Sequence, residues 1–193
     1  LTASQVQGPV VRRKPRETVK SQKTEMPVVA VNPRLKIESY CLSVLYRKPE
    51  LLYRLDRKLQ EFGLSPLAVE DFEYTDHQLL FGVVSQAVRQ DEKEHQNFIM
   101  GELPESVEGL SRELLAQTEK LDTLDDKLLE ELLSRFLDLR RAHAMINVNQ
   151  LRFLQEDEQQ QGGTNLKVYQ EQAIQFTRLL HSLDQAKRKI VKR

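Results

Sequence analysis

The sequence has no tryptophan, a single cysteine and seven glycines, and aromatic residues make up 6% of its 193 residues. With Cys41 alone, the chain can form neither an internal disulfide nor a thiolate metal cluster, and we expect this residue in the core. Few glycines beside abundant Leu, Glu, Gln, Lys and Arg predict an all-α fold. Because no apolar run approaches the roughly 20 residues that span a bilayer and no signal peptide is seen, we expect a cytoplasmic protein.

Motifs of catalysis and of metal binding are also missing. The four histidines lack metal-ligand spacing such as H-E-x-x-H, and we interpret His77 and His95 as surface residues. Gly162-Gly163 is a lone pair typical of a turn rather than a phosphate-binding loop. The acidic pairs Asp125-Asp126 and Glu130-Glu131 suit the first turns of a long helix through its dipole. We identify no catalytic, cofactor-binding or metal-binding residue.

The net charge of zero hides an asymmetry along the chain. Residues 1–36 carry eight Lys or Arg against two Glu, a net charge of +6, so the remainder carries −6. An acidic body lacks the basic face of a general nucleic-acid binder. Residues 1–32 mix prolines with basic residues and show no hydrophobic period, which predicts a disordered basic linker. Its Arg12-Arg13-Lys14 cluster is a solvated tether or a transient nucleic-acid contact, and the like charges favour the tether.

Helical signals begin at Asn32-Pro33, an N-cap followed by proline at the first helical position. Apolar residues then recur at helical spacing in five segments. Thr75 and Gln78 are predicted to form a capping box that opens the third helix, and Asp91 is predicted to cap the fourth. With the first part of the next helix, these segments form a predicted helical bundle subdomain at residues 33–138.

The architecture changes after the fifth helix. From Leu124 to Gln161 the chain has neither Pro nor Gly and keeps a helical period, which predicts one helix on the order of 55 Å long. After Gly162-Gly163, a last helix places apolar residues seven apart, the spacing of a two-stranded helical seam. This seam consists of Tyr169, Phe176, Leu183 and Ile190, with Ala173 and Leu180 between them. We therefore predict a C-terminal helical hairpin subdomain at residues 139–193.

The seam has two interpretations that the sequence leaves open. It packs only against the preceding helix, or part of it stays exposed and docks another helical protein by helix-in-groove recognition. The preceding helix offers fewer and smaller apolar residues than the seam needs for full cover: Ala144, Val148, Leu151 and Leu154. The candidate partner-binding residues are Tyr169, Phe176, Leu180, Leu183 and Ile190.

Two segments carry a family resemblance. Residues 40–52 read Y-C-L-S-V-L-Y-R-K-P-E-L-L, and residues 70–81 read E-D-F-E-Y-T-D-H-Q-L-L-F. Together they resemble the start of the helicase-binding domain at the C-terminus of bacterial DNA primase. The resemblance covers roughly residues 37–193. It implies a bundle of short helices, one long helix and a terminal hairpin, the same order that the hydrophobic period predicts.

The resemblance implies a non-catalytic function. In that family the domain docks the primase onto the N-terminal domains of the hexameric replicative DNA helicase, principally through the hairpin. This chain would then be a helicase-interaction module of the bacterial replisome. The parent enzyme, a nucleotidyltransferase that makes RNA primers, would use zinc and magnesium in domains that are absent here. The start at Leu1 fits a fragment of such a protein.

Neither sequence-specific nucleic-acid binding nor a membrane association is expected. Two alternatives remain at this stage. One is the N-terminal collar domain of a replicative helicase, which is similarly helical but should lead into an ATPase with a phosphate-binding loop. The other is a helical scaffold or adaptor protein, which predicts self-association through the seam and no affinity for a helicase hexamer.

Overall fold

The computed structural model describes residues 32–119, 124–161 and 164–191, and every regular element in these ranges is helical. The α-helices are α1 (Pro33–Arg47), α2 (Leu51–Glu61), α3 (Thr75–Arg89), α4 (His95–Glu102), α5 (Glu108–Gln117), α6 (Asp125–Gln161) and α7 (Leu166–Val191). Short 3-10 turns at Val69–Asp71 and Glu105–Val107 precede α3 and α5. The predicted all-α fold class is confirmed. The predicted linker lies outside the described residues except for Asn32.

None of the described helices combines the length and the apolar content that crossing a membrane requires.

The local sequence explains where several of the helices begin and end. Asn32 caps α1, since its Oδ1 accepts a hydrogen bond from the Arg34 amide at 3.0 Å, and Pro33 follows at the first helical position. Gly63 adopts a φ of 72° just after α2, a left-handed conformation that favours glycine and ends the helix there.

Two predicted caps are wrong. α3 begins at Thr75 itself, so the Thr75 hydroxyl does not cap the helix. The Gln78 side chain instead donates from Nε2 to the Phe72 carbonyl at 2.8 Å, which holds the segment before the helix. α4 begins at His95 rather than after Asp91. Both regions contain several polar residues able to cap, so the sequence alone does not single out the one that starts the helix.

The main core lies between α1–α5 and the first half of α6. Phe72 occupies its centre: its ring centroid lies 4.9 Å from that of Phe81 on α3 and 5.8 Å from that of Phe136 on α6. These three rings and Tyr46 are almost completely buried. Cys41 is a core residue as predicted, and burial raises the pKa of its thiol, so the thiol is kept protonated and unreactive.

Helix α6 belongs to both predicted subdomains. Its first half packs against α1 and α2, and its second half pairs with α7. The helix runs without a break across residues 138–139, where the sequence predicts the subdomain boundary. Its first turn is tied to the bundle by two ion pairs, Asp125 with Lys48 and Asp126 with Arg54. The hairpin therefore extends from the bundle, since its first helix is the continuation of a bundle helix.

Candidate interaction surface

The predicted seam of α7 faces α6, and its residues differ in exposure. Leu183 is only 1% exposed, so it is a core residue and cannot contact a partner in this fold, contrary to its place among the candidates. Tyr169, Phe176, Leu180 and Ile190 are each partly exposed. Because residues seven apart lie on one side of a helix, the seam mainly joins the two helices of the hairpin.

Polar pairs close the hairpin at both ends. They are Arg141 with Asp184, Lys187 with Asp138 and Glu158 with Asn165. The Arg141 Nε to Asp184 Oδ1 distance is 2.8 Å, and Asn165 Nδ2 donates to Glu158 Oε1 at 2.9 Å. Between these ends, the apolar contact is built from Ala144, Val148 and Leu151 of α6, all buried.

Ile190 anchors the end of α7 to the bundle. It packs against the main core and lines a cavity of about 250 Å³ together with Phe62, Leu129 and Leu133. Lys189 Nζ lies 6.0 Å from the Phe62 ring centroid, at the outer limit of a cation–π contact. Ile190 thus serves the attachment of the hairpin rather than an open docking surface.

A groove runs along one side of the hairpin base. It has a volume of about 310 Å³ and lies between α6, α7 and the loop that precedes α3. His143, Ala144 and Asn147 line it from α6, whereas Phe176 and Leu179 line it from α7. Phe176 is the member of the predicted partner-binding set that reaches this groove.

Exposed apolar residues continue the groove toward the tip of the hairpin. Leu154 follows Asn147 by seven residues, and Val168 precedes Leu179 by eleven, so each lies on the same side of its helix. The exposed fractions of Leu154, Val168 and Leu179 are 38%, 49% and 36%. We call this side, made by Asn147, Leu154, Val168, Phe176 and Leu179, the groove face.

Arg140 fixes the wall of the groove. Its Nε and Nη2 donate to the two carboxylate oxygens of Asp71, each at 2.7 Å. Nη1 and Nη2 also donate to the carbonyls of Ser65 and Pro66 at 2.7 Å. The Arg140 side chain is only 9% exposed, and the planar guanidinium matches this set of acceptors. The loop before α3 is therefore locked onto α6, and Arg140 has a structural role.

A buried polar cluster lies where α1 meets the start of α3. Glu38 is 0% exposed, and its carboxylate accepts hydrogen bonds from His77 Nδ1 at 3.0 Å and Arg34 Nε at 3.2 Å. The Glu73 amide donates to the same carboxylate at 3.1 and 3.2 Å. His77 is only 2% exposed, so its interpretation as a surface residue is wrong. Its Nε2 lies 3.3 Å from Ser39 Oγ.

Burial alone would raise the pKa of Glu38, but the hydrogen bonds from His77 and the Glu73 amide and the positive charges of His77 and Arg34 lower it below its ordinary value. The carboxylate therefore stays ionised although it is buried. Its hydrogen bonds to His77 and to the Glu73 amide hold α1 to the start of α3 and to the segment before it. One sequence signal marks it: Glu38 falls three and four residues before Cys41 and Leu42, on the buried side of α1.

The described residues contain no group of three or more His, Cys, Asp or Glu side chains that could hold a metal ion. The candidate site that the described residues offer is the groove face of the hairpin. Comparison of the chain with family models, with curated proteins and with solved structures found no match.

Proposed function

We propose that this chain is the helicase-interaction module of a bacterial DNA primase and that it docks the primase onto the hexameric replicative DNA helicase. The observation that carries the proposal is the groove face, where Leu154, Val168 and Leu179 remain exposed on a hairpin that extends from a folded bundle. The family resemblance of residues 40–52 and 70–81 points to the same function.

The resembling segments and the groove face contribute differently. Residues 40–52 end α1 and begin α2, and residues 70–81 include Phe72 and His77, both buried. These residues build the bundle and therefore support the proposal at the level of architecture. The contact with the helicase falls to the hairpin, whose exposed residues lie outside both segments.

The dimensions of the groove face suit a short amphipathic helix. Val168 and Leu179 are eleven residues apart, about 16 Å along α7, or three helical turns. A partner helix with apolar residues at i, i+4, i+7 and i+11 would place them along such a length. The groove between Phe176, Leu179 and Ala144 would take one of these side chains. A helix of the helicase N-terminal domain is the proposed occupant.

In this proposal the module itself catalyses no reaction. Its role is to recruit the primase to the helicase at the bacterial replisome. Primer synthesis, which uses zinc and magnesium, belongs to other domains of the parent primase. Binding would bring primer synthesis beside the unwinding motor, so the two activities are coupled by proximity.

Binding to the hexameric replicative helicase of the same organism tests the proposal. Phe176→Asp places a charge in the groove and should weaken binding by on the order of 100-fold, as for a central interface residue. Because Phe176 is partly buried, Leu179→Glu supplies a second variant at a more exposed position, and it should weaken binding in the same direction. Isothermal titration calorimetry would measure the affinity, and circular dichroism would verify that each variant stays helical.

The matched control is Ile174→Glu. Ile174 is 52% exposed on α7 but lies five residues before Leu179, which places it on a different side of the helix. Its replacement should leave the affinity unchanged. The absence of any complex between the unmodified chain and the helicase at micromolar concentration would refute the proposal. Normal binding by both groove variants would refute the groove face as its location.

A further inference from the structure

The groove at the base of the hairpin has two unlike walls. Phe176 and Leu179 of α7 form one wall, which is apolar. The loop before α3 forms the other wall, where Glu70 and Asp71 line the groove. Helix α6 joins the two walls, because it pairs with α7 and holds the loop through Arg140. The groove is therefore apolar on one side and carries carboxylates on the other.

The charge of Asp71 is balanced within the chain. Both of its carboxylate oxygens accept hydrogen bonds from Arg140, and one of them also accepts from the Ala68 amide at 2.9 Å. Arg140 is engaged in turn by Asp71 and by the carbonyls of Ser65 and Pro66. This ion pair adds no net charge to the groove, and it offers no free cation to an acidic partner.

Glu70 supplies the charge that remains. Its side chain is exposed and lines the groove. Among the residues that the structure describes, no side chain or amide forms a hydrogen bond or an ion pair with its carboxylate. The other ionisable side chain at the groove is His143, which is exposed on α6. One wall of the groove thus presents an uncompensated negative charge.

The backbone that carries Glu70 is held in place. Val69–Asp71 is a 3-10 turn in which the Asp71 amide donates to the Ala68 carbonyl at 3.1 Å. The residue after Glu70 is the one that Arg140 fixes to α6. Only the side chain of Glu70 must become ordered when an ion pair forms, which lowers the entropic cost of that pair.

We propose that Glu70 determines which helix the groove accepts, namely one with a Lys or Arg at the edge of its apolar stripe. This inference rests on the proposed docking to the helicase, and it specifies the chemistry of the helicase helix. A helix in the groove would turn its apolar side toward Phe176 and Leu179 and one flank toward the loop. Successive residues of a helix are rotated by about 100°, so a basic residue next to an apolar one can face the Glu70 wall.

The two walls would contribute differently to binding. Glu70 is exposed, so water and salt weaken its attraction to a cation, and the apolar wall supplies most of the affinity. Charges at the rim of an interface act mainly on the association rate and on the choice of partner. A helix with an acidic flank would meet a like charge at Glu70. The carboxylate therefore selects among amphipathic helices that fit the apolar wall equally well.

Binding of Glu70→Lys to the hexameric replicative helicase of the same organism tests the inference. Surface plasmon resonance at about pH 8, where histidine is neutral, removes the charge of His143 from the comparison. Glu70→Lys should weaken binding by about tenfold, mainly through slower association, and Glu70→Gln by about threefold. Added salt should weaken binding of the unmodified chain more steeply than binding of Glu70→Gln. Urea unfolding should be the same for all three proteins, since Glu70 is exposed.

Glu171→Lys is the matched control. It makes the same change of charge at an exposed position of α7, three residues before Ile174 and on the same side of the helix as that residue. It should leave the affinity unchanged, and a loss equal to that of Glu70→Lys would overturn the inference.

The possible outcomes separate this inference from the docking itself. Equal binding by Glu70→Lys and the unmodified chain overturns the role of Glu70 and leaves the helicase docking in place. Absence of a complex with the unmodified chain refutes the docking, and the inference falls with it. A Lys or Arg to Glu substitution in the helicase N-terminal domain that binds Glu70→Lys more tightly than the unmodified chain would identify the pairing residue.

Discussion

Removal of the Glu38 side chain should strongly destabilise the bundle. Its carboxylate is the common acceptor for His77 Nδ1, Arg34 Nε and the Glu73 amide. In Glu38→Ala the ring N–H of His77 and the amide of Glu73 lose their acceptor, and each unsatisfied buried group costs about 1–3 kcal/mol. We expect the free energy of unfolding to fall by about 3–5 kcal/mol, the range for a broken buried pair.

Glu38→Gln removes the negative charge but keeps nearly the same side-chain shape. The amide keeps a carbonyl oxygen that accepts one hydrogen bond, but it loses the attraction to Arg34 and places an NH2 group against a donor. We expect a smaller loss of about 1–2 kcal/mol. Glu50→Ala is the matched control, because Glu50 is an exposed residue just before α2 and its side chain forms no cap. It should change stability by less than about 0.5 kcal/mol.

The pH dependence gives an independent test of the same cluster. Because the folded pKa of Glu38 lies below its ordinary value of 4.5, the folded state binds this proton more weakly than the unfolded state. The stabilisation is therefore complete above that ordinary value and is lost as the pH falls through the lower pKa of the folded state. Glu38→Gln should remove this part of the acid sensitivity, so the difference between the two proteins should shrink on acidification.

Urea unfolding followed by circular dichroism at pH 7 and at several values below pH 4.5 would measure both effects. The pKa values of two other carboxyl groups are also lowered. The contact with Lys48 lowers the pKa of Asp125. Burial would raise the pKa of Glu131, but the hydrogen bonds from Tyr40 and Arg135 lower it. For that reason the comparison with Glu38→Gln, rather than the slope of the unmodified chain, isolates Glu38. A loss below about 1 kcal/mol in Glu38→Ala would contradict the assignment of the cluster as a main connection between α1 and α3.

Two further substitutions test how the hairpin and the groove are held. Arg140→Ala should lower the free energy of unfolding by about 3–5 kcal/mol because it leaves the Asp71 carboxylate without its partner. Arg140→Lys should recover only part of this loss, since an ammonium group cannot bond to all four acceptors. Equal stability of the lysine variant and the unmodified chain in urea unfolding would contradict this geometry. Leu183→Ala truncates a buried side chain and should lower the free energy of unfolding by about 2–4 kcal/mol. Leu179→Ala, at a more exposed position one turn earlier, should lower it by less than about 1 kcal/mol. A thermal unfolding experiment that ranks the two variants in the reverse order would contradict the orientation of α7.

The helices of this fold are largely predictable because their signals are local. Neither proline nor glycine occurs between Leu124 and Gln161, and the hydrophobic period continues, so α6 follows from the sequence directly. The start of α1, capped by Asn32, also follows from the sequence. The position of the α3 start is not predictable from local signals, since several polar residues near Thr75 compete for the N-cap position.

The surfaces depend on contacts between distant parts of the chain and are much harder to predict. His77 reads as a surface residue because its partner, Glu38, lies 39 positions away. The seam spacing identifies the side of α7 that faces α6, but it does not tell which flanking residues stay bare. The spacing alone therefore selects the buried Leu183 as a candidate and omits Leu179, which is 36% exposed. The groove itself exists because Arg140 holds a loop 75 residues earlier in the chain.

The continuity of α6 has a mechanical consequence. Its 37 residues form one uninterrupted helix, of which the part beyond residue 140 acts as a lever arm about 32 Å long. Helices bend only gently in the absence of proline, so a tilt of about 10° at the buried end would move the free end by about 6 Å. Repacking around Leu132 deep in the bundle would therefore re-aim a surface that it never touches. Conversely, a load applied at the far end would be felt first by the side chains around Phe136.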